Sequence, residues 1–131
     1  MKPISLCMFL FGLTMLLGCT PGRKVGGDVK GSVEFEGKPV NYGAITVIGE
    51  DRYTAMSEIK DGAFHLQKPP FGKCAVMIVT APPMPPDGDM SNFKPPADYI
   101  DVPARYGRPE TSKLEIDVTE APQTHNIKLT R

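Results

Sequence analysis

The sequence predicts an all-β domain, a sandwich of seven short strands. Three observations carry this. Apolar and polar residues alternate at period two in several short runs, the mark of half-buried strands. Turn signals recur between those runs at the spacing of a sandwich. Fourteen prolines and thirteen glycines in 131 residues work against helices, and no stretch shows a convincing helical period.

The strands follow in order. In Asp28–Glu36, Val29, Gly31, Val33 and Phe35 alternate with Lys30, Ser32, Glu34 and Glu36. Gly37-Lys38-Pro39 reads as a turn. Ala44–Gly49 carries Ile45, Val47 and Ile48, and Glu50-Asp51-Arg52 turns the chain. Tyr53–Ile59 puts Tyr53, Ala55, Ser57 and Ile59 on one face. Asp61-Gly62 predicts a tight hairpin, because both central positions need a positive φ. Ala63–Gln67 follows, with Phe64 and Leu66 inward and His65 outward. Pro69-Pro70-Phe71-Gly72 breaks the chain. Lys73–Thr80 is apolar on both faces over much of its length and is expected at the centre of a sheet. Residues 81–112 form a long irregular segment. Leu114, Ile116 and Val118 then alternate with Glu115, Asp117 and Thr119. Ala121-Pro122-Gln123 is read as a turn, and Asn126–Thr130 closes the domain with Ile127 and Leu129 inward. No internal repeat is visible.

The N-terminal stretch has another character. After Met1-Lys2-Pro3, residues Ile4 to Leu17 are almost all apolar. As a helix this run would span roughly 20 Å, short for a bilayer core of about 30 Å, so it fits a secretory signal peptide better than a permanent span. Leu16-Leu17-Gly18-Cys19 resembles the lipobox of bacterial lipoproteins. That resemblance implies lipid transfer to the Cys19 sulfur, cleavage before Cys19 and anchoring at a membrane on its extracytoplasmic side. The division expected is a signal peptide at 1–18, a lipidated tether at 19–27 and the sandwich at 28–131. A flexible tether of eight residues after Cys19 spans on the order of 15 Å, which keeps the domain near the membrane face.

Removing the first 18 of 131 residues leaves 113, enough for one domain with a core of its own. It also removes Lys2 from 15 basic side chains, so 14 face 15 acidic ones. That balance, with no basic cluster, argues against nucleic acid as a partner and against charge alone as a membrane anchor. Of the three cysteines, Cys7 leaves with the signal peptide and Cys19 is consumed by lipid. Cys74 stays alone, so no internal disulfide is expected.

The order Val29-Lys30-Gly31-Ser32-Val33-Glu34-Phe35-Glu36-Gly37-Lys38-Pro39-Val40, then Gly43-Ala44-Ile45-Thr46-Val47, Ile59-Lys60-Asp61-Gly62-Ala63-Phe64-His65-Leu66 and Pro69-Pro70-Phe71-Gly72-Lys73, resembles the carboxypeptidase regulatory-like, transthyretin-like domains. It is most similar to the small lipoproteins of planctomycete-type bacteria that carry one such domain. Val102-Pro103-Ala104-Arg105-Tyr106 and Thr111-Ser112-Lys113-Leu114 are similar to their later segment. The resemblance covers most of the chain after Cys19 and implies a seven-stranded Greek-key β-sandwich. Its motifs are turns and core positions, so they speak to fold and not to chemistry. Cys74 stands where such domains usually place an aromatic residue.

Candidates for chemistry are sparse. Cys74 lies on the apolar phase of its strand, where a free cysteine behaves as a small hydrophobe. His65 and His125 are isolated and lack a clustered third ligand. Met84 and Met90 are copper-type donors, but methionine in a proline-rich loop is more often packing. Asp87, Asp89, Asp98 and Asp101 offer paired acids in a segment with no burial pattern to raise a pKa, and Asp87-Gly88-Asp89 has too few oxygens for a calcium loop. Transthyretin-like folds include hydroxyisourate hydrolases, which end in a Tyr-Arg-Gly-Ser type tail and use histidines near their start; this chain has neither. No catalytic residue, metal or cofactor is therefore expected.

The informative stretch is 81–112, with eight prolines. Loops beyond about 12–15 residues tend to be functional or disordered. Phe93, Tyr99, Arg105 and Tyr106 are its candidate binding residues, either as a contact surface for an envelope protein or glycan or as a lid over a sheet edge. Arg105 and Arg108 would face a ligand carboxylate or glycan, or else Asp101 and Glu110. The function expected is a membrane-anchored, non-enzymatic binding or structural module of the cell envelope. A carbohydrate-binding module is the alternative, disfavoured by the absence of tryptophan, and a small hydrolase comes last.

Overall fold

A computed structural model describes residues Lys24–Arg131. The fold is all-β: two four-stranded sheets enclose one core, with almost no helix. The strands are β1 (Val29–Phe35), β2 (Lys38–Pro39), β3 (Gly43–Gly49), β4 (Thr54–Ile59), β5 (Ala63–Leu66), β6 (Gly72–Thr80), β7 (Leu114–Val118) and β8 (Gln123–Leu129). A 3-10 turn at Ala104–Gly107 and a single helical turn, α1 (Pro109–Ser112), lie between β6 and β7. No helix among the described residues is long and apolar enough to cross a membrane.

In the first sheet β1 is central. It pairs antiparallel with β5 and β2 on one side and parallel with β8 on the other. The second sheet runs β4-β3-β6-β7, all antiparallel. Period two then sorts the side chains. Val29, Val33 and Phe35 of β1, Ile45 and Val47 of β3, Phe64 and Leu66 of β5, and Cys74, Val76 and Ile78 of β6 meet in the core. Lys73–Thr80 lies between β3 and β7, a central place as its apolar faces predict.

Two strand boundaries differ from the sequence reading. Lys38-Pro39 is not a turn but a two-residue strand, paired with Glu34 and Phe35, so the described residues hold eight strands. The turn is Glu36-Gly37, with Glu36 at φ 48°. The last strand begins at Gln123, not Asn126, and follows β1 for seven residues. Its early inward positions, Gln123 and His125, are polar and hide the alternation. The Asp61-Gly62 hairpin forms as expected, with φ of 51° and 78°.

The expected tether runs differently as well. Lys24–Gly27 is docked on the domain. The Gly26 amide donates to the Pro69 carbonyl at 2.8 Å, the Gly27 amide donates to the Thr119 carbonyl at 2.9 Å, and Val25 makes a β-bridge to Pro70. A Cβ on Gly26 would sit 2.1 Å from a Val118 methyl, so the close approach needs glycine. Cys19 and the expected signal peptide lie outside the described residues.

Candidate binding site

The strand directions give the sandwich two unlike ends. One holds the docked Lys24–Gly27, the β3–β4 turn at 50–53, the β5–β6 loop at 67–71 and the β7–β8 turn at 119–122. The other holds the C-terminus and the whole segment between β6 and β7. At about 3.4 Å per residue, the nine residues of β6 separate the ends by roughly 30 Å.

The segment between β6 and β7 has two parts. Its second part is a strap. The Val102 amide donates to the Thr80 hydroxyl at 3.1 Å, and Val102 and Tyr106 enter the core. The 3-10 turn and α1 pack along β6 where β7 is too short to cover it. Tyr106 is 5% exposed, and its hydroxyl holds the C-terminus. It donates to the Thr130 carbonyl at 2.9 Å and accepts from the Thr130 amide at 3.0 Å and from the Arg105 guanidinium at 2.9 Å. Arg105 also donates to the Thr130 carbonyl at 2.7 Å and lies 4.8 Å from the Tyr106 ring centre. Burial pushes the Tyr106 phenol up, but the Thr130 and Arg105 contacts outweigh it and leave the phenol below its ordinary range. Tyr106 and Arg105 thus form a clasp on the last strand, and the buried ring presents little surface to a partner.

The first part, from Ala81 to Asp101, is mostly exposed. Phe93 and Tyr99 are half-buried, their amides bonded to the carbonyls of Met90 and Pro96. Asp98 ties this part to the domain by accepting from the Asn41 side-chain amide at 3.0 Å. The Asp89 carboxylate accepts from the amide and hydroxyl of Ser91, which lowers its pKa.

Several clefts flank the segment; besides one of about 300 Å³ at Thr80, Asp101, Val102 and Arg108, two are rich in polar side chains. One of about 240 Å³ is lined by Asn41, Tyr42, Glu58, Ile59, Lys60, Asp61 and Asp98. Tyr42 sits at φ 57°, unusual for a bulky residue, and is exposed at the rim. Desolvation raises its pKa, and Asp98 and then Asp61 add to this. The buried Asn41 Oδ1 has no hydrogen-bond partner. The cleft wall carries the Glu58, Asp61 and Asp98 carboxylates beside the Lys60 ammonium, a mixed lining suited to ligand hydroxyls. The other, a groove of about 530 Å³, passes Arg105, Glu110, Lys113, Lys128 and Thr130 and is basic. In the sequence nothing local distinguishes Asn41 and Tyr42; only Asp98, 57 residues on, makes them a site.

Cys74 is fully buried, and its thiol lies 3.3 Å from the Pro70 carbonyl. Burial and the nearby acids push its pKa up to about 11, so it carries no thiolate at neutral pH. His65 points outward and meets Asp28 at 3.2 Å. Among the described residues no group of three or more His, Cys, Asp or Glu is placed to hold a metal.

No family model, no curated protein and no solved structure matches the chain.

Proposed function

We propose that the chain is a lipoprotein of the cell envelope. It is cleaved after Gly18, anchored through lipid on Cys19, and displays a non-enzymatic binding module on the extracytoplasmic side of the membrane. The module would be a Greek-key sandwich of the transthyretin-like, carboxypeptidase regulatory-like kind. The observation that carries this reading is the opposition of the two ends. The chain joins the sandwich at one end, while the long segment with Phe93 and Tyr99 and the two clefts lie at the other. An anchor at Cys19 would aim that end outward. The absence of an ionised thiol at Cys74 also favours binding over nucleophilic catalysis.

The test is in-cell photocrosslinking from position 93 and from the exposed face of β4, with Cys19→Ala alongside. The reading expects a discrete protein adduct from position 93 in the anchored form, lost in Cys19→Ala. No adduct from position 93 in either form would sink the protein-docking reading. A second reading, glycan binding, is favoured by the polar cleft at Asn41, Tyr42, Lys60 and Asp98. It expects saccharide binding that Asn41→Ala and Tyr42→Ala both weaken.

A further inference from the structure

The end where the chain joins the sandwich carries a feature that neither fold nor display requires. Val25 and Phe71 are each 37% exposed and are held on adjoining backbone, since Val25 bridges Pro70. Pro69 and Pro70 are buried beneath them and fix that backbone. The Lys24 ammonium lies 3.8 Å from the Phe71 ring centre and 3.2 Å from Glu120. These apolar side chains are thus rigidly presented at the point where the chain leaves the described domain.

Chain length decides what they meet. Only Thr20 to Arg23 separate Cys19 from docked Lys24. Five steps of at most about 3.6 Å reach no more than about 18 Å. A lipid on Cys19 therefore holds this end, and no other, against the bilayer. We infer that Val25 and Phe71 form a lipid-contacting foot that seats the sandwich upright on the membrane bearing its anchor. This inference rests on the lipoprotein reading above. Charge plays little part in it. The same end carries Glu50, Asp51 and Glu120 as well as Lys24, Arg52 and Lys73, so anionic lipid gains no clear attraction. The contact is apolar and interfacial, and it adds to the hold of the lipid anchor.

The test uses the full chain, matured in a bacterial host and reconstituted into vesicles of phosphatidylethanolamine and phosphatidylglycerol. An environment-sensitive fluorophore is placed on Val25→Cys, Phe71→Cys and Asp89→Cys separately, the last at the far end. Nitroxide-labelled lipid should quench the probes at 25 and 71 severalfold more than the probe at 89. The difference should persist in high salt and without phosphatidylglycerol. Val25→Cys keeps Phe71 intact, so damage by one substitution does not void the result. The mass of the N-terminal peptide is read in parallel. Lipid on Cys19 with equal quenching at all three positions overturns the foot alone. An unmodified Cys19 overturns the lipoprotein reading, and the foot with it. Quenching lost in high salt replaces the apolar contact with a charge contact and overturns the inference as stated.

Discussion

At the end where the chain joins the sandwich, successive strands are linked by only four or five residues, and buried prolines and close backbone approaches seal the gaps. At the opposite end the turns at 36–37, 40–42 and 60–62 are equally short, but β6 and β7 are joined by 33 residues. About a third of that connection is built into the core, and the other two thirds are mostly exposed. Residues 102–112 put Val102, Tyr106 and Ser112 inside, whereas 81–101 leaves Met84 and Met90 79% and 57% exposed. One end is thus closed by short turns and close packing, whereas the other is held by the Tyr106–Arg105 clasp and by a mostly exposed segment tied down at Ala81, Asp98 and Ile100. On the proposed reading, the tight end carries the anchor and the looser end carries the contact surface.

The largest effect that would break this contrast is expected at the sealed end. Gly26→Val drives a side chain into Val118 and the Thr119 carbonyl. Overpacking of this kind costs about 1–3 kcal/mol, read as a lower midpoint in denaturant titration. Faster hydrogen exchange should be confined to 24–27, Phe71 and 118–121. If the exchange pattern changes first around 81–101, the sealed end is not the tight one.

At the far end, Tyr106→Phe keeps the ring and removes the hydroxyl that three partners share. The expected loss is about 1 kcal/mol, with faster exchange at Thr130. Arg105→Lys should cost less, because the Arg105 guanidinium sits at the surface and the phenol still reaches Thr130. Equal stability of Tyr106→Phe and the parent would mean that ring packing alone holds the last strand.

How far these features could be read from sequence follows the range of the interactions. The inward faces of β1, β3, β4, β5, β6 and β7 are written in period two, and the Asp61-Gly62 turn in its own two residues. The burial of Cys74 followed from its phase. The parallel pairing of β8 with β1 was not legible, because it joins residues some 94 apart and half of its inward positions are polar. Lys24–Gly27 looked like linker because glycine there signals flexibility when nothing is known to lie against it. In the fold the same glycines permit contact. Tyr106 looked like a surface anchor because its partner is the backbone of Thr130, and no side-chain pattern announces a backbone partner. The Asn41–Asp98 cleft was hidden for a related reason, since each half lies in a different loop.

A pH series sharpens the comparison at the sealed end. Asp28 accepts from the Lys68 amide and from His65, and both hold its carboxyl below the usual carboxylate range. A carboxylate depressed in the folded state stabilises above the unfolded value, and that contribution is lost as pH falls through the folded one. Asp28→Asn should therefore melt lower than the parent at pH 7, and the two should converge only as the pH falls through the depressed carboxyl value of the folded chain. His65→Gln should remove part of the difference at neutral pH and leave the acid limb in place, because the Lys68 bond acts first. Parallel melting curves across the whole range would show that Asp28 contributes nothing through its charge.

The smallest expected effect is the most telling for the free segment. Met84→Gln with Met90→Gln replaces two exposed apolar side chains that are not part of the core. Exposed substitutions of this sort fall within about 0.5 kcal/mol of the parent, and the chain's melting temperature should not move. If the segment only shields the sheet edge, envelope binding should not move either, because the shielding is done by 102–112. If it is a contact surface, crosslinking from position 93 should fall while stability holds. A change in stability without a change in crosslinking would mean that 81–101 belongs to the fold after all, and that the contrast between the two ends is one of loop length and not of purpose.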